Sequence, residues 1–474
     1  MTGMATALLD RPLVAQVDAL RHGEVAVADL VAAALDRAAR LQERLNAFLS
    51  FDGEAALSRA RALDRLPQAR RDAMPLFGAP LAHKDMFARE GRRVTYASKL
   101  FAEHRPRVTA TLIRRLDAAG AVDLGTLNMS EFACNPYGMN VLVGRARNPW
   151  NPDHIAGGSS SGSAAAVAAR LIAASFGSDT GGSVRLPAAA CGVFGLLPTN
   201  GRVSRHGMLP LSHSLDCAGP LARSARDLAR VLGVVAGRDP EDASSSAEPV
   251  PDYEAGIEAG IAGMTIGFAA NYYSDEIDAD TEAMMDTVAA IFGEAAAKVS
   301  RIEVPDPRPL DALGNLLILA EAASYHLDDL RERGGEYTPL VRERIQFGFS
   351  FDAVSYIDAL RLRAIELKRF LAAVFTRADV LVLPTLPHAA PAFADVERAL
   401  AGAADLSFPL AKFTRSINYL GLPAVSVPAG LDRHGLPLAF QVVGRPFDEA
   451  LILRVARGFE KARPPALPDT GEPR

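Results

Sequence analysis

Two clusters of glycine and serine, Gly157–Ser163 and Gly177–Ser183, bracket a run of small residues from Ala164 to Ala174. Gly and Ser at this density read first as a flexible linker. The run between them argues otherwise. It is built of Ala, Val, Leu and Ile with a single charge, Arg170, and it predicts a buried helix whose small side chains let neighbouring backbone approach closely. The two clusters then lie at its ends as tight turns in which glycine supplies unusual dihedrals. A glycine-rich turn opening a helix is also a phosphate cradle, but neither the P-loop pattern nor the dinucleotide-binding glycine pattern occurs in the stretch.

The clusters offer hydroxyls instead. Ser159 and Ser183 lie 24 residues apart, and Asp179-Thr180-Gly181-Gly182-Ser183 is a run of backbone N–H groups ending in a hydroxyl. Acyl transfer needs that equipment: a nucleophile with an oxyanion hole formed by the amides just before it. A serine hydroxyl also needs a base. His154 and His206 are the nearest histidines in sequence, so a Ser–His pair stays open. The other candidate is Lys84, at the end of Phe77-Gly78-Ala79-Pro80-Leu81-Ala82-His83-Lys84-Asp85. A lysine emerging from a short apolar strand is buried, and burial lowers its pKa until the neutral amine acts as a base. A lone lysine is more often a solvated surface charge, so the residues alone leave the base undecided.

The chain resembles the amidase signature hydrolases in GAPLAHKD (78–85), GTLNMSEFA (125–133), RNPWNP (147–152), the first glycine–serine cluster with its helix (157–169) and the second cluster through Ser204. Weaker matches continue at Gly219-Pro220, VLVLPT (380–385) and GLPAVSVPAG (421–430), so the resemblance covers most of the chain. It implies a Ser–cis-Ser–Lys triad, with Ser183 as nucleophile, Ser159 as the bridging serine after a cis Gly158–Ser159 bond, and Lys84 as base. The N–H groups of Thr180, Gly181, Gly182 and Ser183 would form the oxyanion hole. The implied reaction is hydrolysis of an amide or carbamate-like C–N bond through a serine acyl-enzyme.

The resemblance also implies one α/β domain with a mixed central sheet covered by helices on both faces. Pattern alone supports α/β, because an amphipathic helix over 108–120, a glycine and a strand over 121–125 follow in succession. Within that domain the chain divides into a helical scaffold (1–72), a core carrying the motifs (73–237), an exposed Asp-, Glu-, Pro- and Ser-rich linker (238–253), and a second half (254–474) that forms the substrate funnel in the resembled family. Residues 399–412 read as a flap or a surface loop, and the Pro-rich tail from Pro464 as frayed.

Around the triad, Asn128 and Glu131 are the polar members of the loop 126–137, which faces the site in the family. Glu131 reads as a buried carboxylate that holds the loop. Cys134 reads as a packing residue, since no basic residue neighbours it in sequence. Arg185 reads as a brace for the oxyanion loop with Asp179 as its partner, a substrate carboxylate being the other option.

A net charge of −5 leaves no nucleic-acid footprint. Three cysteines, an odd number, suit a reducing compartment. The N-terminus lacks a secretory pattern, and no apolar run is long enough to span a membrane. Neither HExxH nor CxxC occurs, so no metal and no cofactor is expected. The expectation is a cytoplasmic enzyme with a small-molecule amide or carbamate substrate, no nucleic acid or membrane partner, and a homodimer left open. One rival is the glutaminase subunit of a tRNA-dependent amidotransferase, a member of the same family. Against it, Leu186 stands where those subunits tend to carry glutamine, and LAEAASYHLDDL (319–330) replaces their Tyr- and Ser-rich glutamine-binding segment. A urethane or urea-derivative hydrolase also stays open. Intact Lys84, Ser159 and Ser183 speak against a catalytically dead binding protein. Apolar Phe347–Phe351 and Leu406–Leu410 favour an aryl or aliphatic amide over a charged one.

Overall fold

The short apolar run before Lys84 forms a strand, Pro80–Lys84, with all five residues buried. A computed structural model describes residues 2–401 and 409–471. It places this strand, β2, inside an eleven-stranded sheet. The others are β1 (Phe48–Phe51), β3 (Val122–Leu127), β4 (Ala174–Asp179), β5 (Phe194–Leu197), β6 (Cys217–Ala222), β7 (Thr265–Ala269), β8 (Lys298–Ile302), β9 (Val380–Pro384), β10 (Ala424–Leu431) and β11 (Pro437–Val443). Their order is β1-β3-β2-β4-β6-β5-β10-β11-β9-β7-β8. The sheet is mixed: β2 runs parallel to β3 and β4, and β7 runs parallel to β8 and β9. The β5–β10 pairing is antiparallel and joins the strands of the two halves of the chain. They therefore share one sheet and one α/β domain.

The parallel β2–β4 pairing positions the site. Leu81 pairs with Ala174, so the C-terminal ends of both strands emerge at the same edge, bringing Lys84 beside Ser178 and Asp179. Ligands in parallel sheets collect at that edge, outside the carboxyl ends of the strands.

The helices follow their apolar spacing. Val27–Leu45 buries Val27, Leu30, Val31, Ala34, Ala38, Leu41 and Leu45, a stripe at intervals of three and four. Ala225–Val235 is capped by Ser224, whose Oγ accepts from the Asp227 N–H at 3.0 Å. Among the described residues, no helix is long and apolar enough to cross a membrane.

The structure corrects two local expectations. The buried helix is shorter than the run 164–174: it spans Ser161–Ala168, Arg170 turns left-handed at φ 61°, and Ala174 opens β4. A run of small residues buried on every side has no period to separate helix from strand. For the same reason β5 and β6, buried along their whole length, escape the sequence pattern. Gly162 inside that helix is a close-approach residue, since a Cβ there would lie 2.4 Å from the Ala47 carbonyl oxygen. The tail is tied down well past Pro464. The Thr470 carbonyl accepts from Arg44 at 2.9 Å, and its hydroxyl meets Arg170 at 3.0 Å. Half of the segment 399–412, expected as a flap or a surface loop, lies outside the described residues, as do 406–408 of the segment 406–410.

Candidate active site

Lys84 leaves β2 with only 1% of its surface exposed. Its Nζ donates to Ser159 Oγ at 2.6 Å and to Ser178 Oγ at 2.8 Å. Burial lowers its pKa from 10.5 to about 7, against the opposing pull of the Asp216 and Asp179 charges. At neutral pH a large share of this amine is therefore uncharged.

Ser159 is fully buried and follows a cis Gly158–Ser159 bond. The Ser130 N–H donates to its carbonyl at 3.1 Å. The next amide, of Ser160, donates to the Ser183 carbonyl at 3.3 Å, so the two glycine–serine clusters pack backbone to backbone. Ser183 is 9% exposed and lines a small cavity of about 40 Å³. Thr180, Gly181, Leu186, Asn135, Arg344 and Arg415 are among the other residues around that cavity.

The loop before Ser183 is braced by charge. Asp179 Oδ1 accepts from the Gly182 N–H at 2.7 Å, and Asp179 Oδ2 accepts from Arg185 Nε at 3.0 Å. Both side chains are completely buried. Arg185 also reaches Gln441 Oε1, Asn418 Oδ1 and the Thr414 carbonyl at 2.6–3.1 Å. The Arg185 guanidinium holds the Asp179 carboxyl below the usual carboxylate range despite burial. Gly182 sits at φ 124°, where a Cβ would meet Thr414 Oγ1 at 2.3 Å, so the turn needs glycine. One expectation is corrected here. The Gly182 N–H is committed to Asp179 and does not point at a substrate carbonyl, which narrows the candidate oxyanion donors to Thr180, Gly181 and Ser183.

Asn128 donates to the Asn46 and Gly144 carbonyls at 3.0 Å each and ties the loop 126–137 to the helical scaffold. Glu131 accepts from Ser98 Oγ at 2.7 Å and from the Thr338 N–H and Oγ1 at 2.9 and 2.6 Å. These bonds link that loop to the second half of the chain. Cys134 is buried with its thiol pushed up to about 11. It does have a basic neighbour, Arg344, more than two hundred positions away in sequence.

The three adjacent hydroxyls separate by contact. Ser160 stands at the N-terminus of the Ser161–Ala168 helix without capping it; its Oγ donates to the Ser178 carbonyl at 3.4 Å. Ser161 Oγ is buried without a partner among the described residues. Ser160 is thus held to neighbouring backbone through both its hydroxyl and its amide, which donates to the Ser183 carbonyl. Ser160→Ala should cost about 0.5–1.5 kcal/mol of stability, and Ser161→Ala should be near neutral, because its hydroxyl forfeits no bond. Ser159→Ala should lower turnover most of the three, though less than loss of Ser183, since a water can take the place of the hydroxyl. Turnover and denaturant unfolding of the three variants check this. Loss of chemistry on Ser160→Ala or Ser161→Ala at unchanged stability would move the bridging role.

Sequence reasoning missed several residues that build the site. Asp216 Oδ1 accepts from Thr180 Oγ1 at 2.6 Å, and its Oδ2 accepts from the Leu211 and Ser212 N–H groups at 2.8 and 3.1 Å. Ser178 would have followed from reading 174–179 as a strand. Asn418, Gln441, Thr414, Arg344 and Arg415 come from far along the chain and carry no local motif.

Comparison with known proteins agrees with this architecture. A family model described as Amidase matches residues 29–453. The chain belongs to that family, the amidase signature enzymes, and is an enzyme acting on C–N bonds. It is 39% identical over 469 residues to a subunit of the glutamyl-tRNA(Gln) amidotransferase of Roseiflexus castenholzii, covering 93% of this chain and 94% of that one. The amidotransferase subunit of the same name from Thermotoga maritima is similar in structure, with TM-score 0.82, 30% identity and 98% of each chain covered. A structure described as a vestigial protein complex revealing the evolutionary origins of an s-triazine catabolic enzyme aligns at TM-score 0.88 and 33% identity, over 97% of this chain and 100% of that one.

Proposed function

We propose that this chain is a hydrolase that cleaves the amide or carbamate-like C–N bond of a small molecule through an acyl-enzyme on Ser183. The observation that carries the reading is a buried lysine of depressed pKa in hydrogen-bond contact with Ser159, whose neighbour Ser160 donates its N–H to the carbonyl of Ser183. Neutral Lys84 takes a proton from Ser159 as Ser159 takes one from Ser183. Ser183 Oγ attacks the carbonyl carbon, and the N–H groups of Thr180, Gly181 and Ser183 stabilise the developing oxyanion. The proton returns through Ser159 to the leaving nitrogen, the C–N bond breaks, and water hydrolyses the acyl-enzyme with Lys84 again as base. Asp179, Arg185 and Asp216 keep the donor loop rigid, while Glu131 and Asn128 anchor the opposite loop. The enzyme works in the cytoplasm, in keeping with three free buried cysteines.

The 39% identity to an amidotransferase component favours a second reading, a glutaminase that works with other protein chains. Leu186 at the cavity supports the first. The purified chain, alone, is assayed against anilides, primary amides, carbamates and glutamine. Turnover of a small amide or carbamate by the isolated chain supports the first reading. Glutamine hydrolysis that appears only when the other amidotransferase components are added supports the second.

A further inference from the structure

We propose that Glu321 is a positioning residue for the reaction: through Ser212 and Asp216 it holds Thr180, and with it the N–H groups that face the oxyanion. The proposal rests on the acyl-enzyme reading of Ser183. Glu321 lies on the Pro307–Tyr325 helix of the second half, whereas Ser183 and its donor loop belong to the segment that carries the motifs.

The link runs bond by bond. Glu321 Oε2 accepts from Ser212 Oγ at 2.5 Å and from the Ser214 N–H at 2.9 Å. Ser212 in turn spends its backbone on Asp216. Its N–H donates to Asp216 Oδ2 at 3.1 Å, and its carbonyl accepts from the Asp216 N–H at 2.9 Å. Asp216 Oδ1 then accepts from Thr180 Oγ1 at 2.6 Å. Ser212, Asp216 and Thr180 are all buried, so these bonds are shielded from competing water. Among the described residues, Ser212 is bonded outside the segment 211–216 only through its hydroxyl. The Ser214 carbonyl has other anchors, Arg363 Nη1 at 2.9 Å and Asn200 Nδ2 at 3.2 Å, and neither touches Ser212.

A carboxylate on a groove wall can instead be a ligand for substrate. Glu321 does line a groove of about 640 Å³, with Phe349, Phe351 and Tyr356, that shares Leu211 with the Ser183 cavity. Its lone pairs are already taken, however. Oε1 accepts from Ser214 Oγ and from the Tyr356 hydroxyl, the latter at 2.9 Å. With the two bonds to Oε2, these fill the roughly four acceptor sites of a carboxylate. Glu321 therefore acts as a strut between the groove and the donor loop.

Fixing Asp216 has a second effect. Its charge and that of Asp179 raise the Lys84 pKa, against the larger and opposing effect of burial. The Arg205 charge in turn bears on Asp216. The strut thus sets the oxyanion donors and the base together.

The test is a double-mutant cycle on the full chain, with any amide that the wild type turns over. Glu321→Ala and Ser212→Ala should each lower kcat about 10–100-fold with KM within about threefold, because the lost alignment serves the transition state. The double variant should fall no further than the lower single one. Glu321→Gln should keep most of kcat, since an amide with reoriented hydroxyl partners spans the same gap. In Glu321→Ala the acid limb of kcat/KM should move below about 7, as Asp216 is released from its place near Lys84. A tie that served stability alone would leave the kcat of the folded enzyme and its acid limb where they are. Titration with a serine-directed phosphonate counts the folded, competent sites of each variant. Unchanged kcat per labelled site in Glu321→Ala, additive losses in the double variant, or an acid limb that stays put overturns the proposal and leaves Ser183 as nucleophile. Failure of the phosphonate to label Ser183 in the wild type overturns the acyl-enzyme reading itself, and this proposal with it.

Discussion

Ser183→Ala should lower turnover of any accepted amide by on the order of 10⁶, to what binding and backbone amides alone sustain. Among the described residues, no other group on the cavity wall can replace the nucleophile. Thr180 Oγ1 is committed to Asp216 at 2.6 Å, and the Cys134 thiol, pushed up to about 11, is not a thiolate at neutral pH. The fold should survive, because the contact from the Ser160 N–H to the residue 183 carbonyl is made by backbone. The Gly182 turn and the Asp179–Arg185 brace also do not depend on the serine hydroxyl. Mass spectrometry of the wild type treated with a phosphonate should place one adduct on Ser183, and the variant should carry none. An adduct on another residue, or a variant that keeps more than a small fraction of its turnover, would remove Ser183 from the role.

The site was legible where its residues sit in short local patterns and illegible where the sheet brings distant residues together. Lys84 stood out as a candidate because a strand that is apolar up to its last two residues delivers its side chain to the sheet edge, while the residues alone left the base undecided. Ser159 and Ser183 stood out because each ends or interrupts a glycine cluster. Asp179 was found as the partner of Arg185 because only six positions separate them. Asp216, Asn418 and Gln441 follow no such rule. Their contacts with Thr180, Asp179 and Arg185 span 36 to 256 positions and depend on the β4–β6 and β10–β11 pairings. The fold shows the same division. Val27–Leu45 and Ala225–Val235 have one face toward solvent and hence a readable period. β4, β5 and β6 are buried along their whole length, and their alanines, glycines and serines alternate with nothing. Arg344 and Arg415 were hidden for both reasons, since each lies in a helix without a motif and meets the cavity only after the two halves join.

Lys84→Met should lower turnover by about 10²–10⁴-fold, the usual worth of a positioned base, and should abolish the acid limb of the pH profile. In the wild type, desolvation is the largest influence on this amine and outweighs the attraction of the Asp216 and Asp179 charges, leaving a pKa of about 7. Below that pH the amine is protonated and has no lone pair for the Ser159 proton. The kcat/KM should therefore fall tenfold per pH unit below about 7 and level off above it. The same shift couples to folding. Between about 7 and 10.5 the unfolded lysine binds a proton that the folded one does not, so burying this group is a cost that is complete below about 7 and is relieved as pH rises toward 10.5. Methionine removes both the titration and the cost of a buried charge, so the stability difference between Lys84→Met and wild type should favour the variant most at acid pH and shrink toward pH 10. Denaturant unfolding at several pH values, beside the rate profile, measures both effects on the same two proteins. An acid limb that persists in Lys84→Met would place the titrating base elsewhere. His83 is a poor substitute, because burial pushes it down to about 4 and its Nδ1 accepts from the Phe176 N–H, so the search would return to His154 and His206.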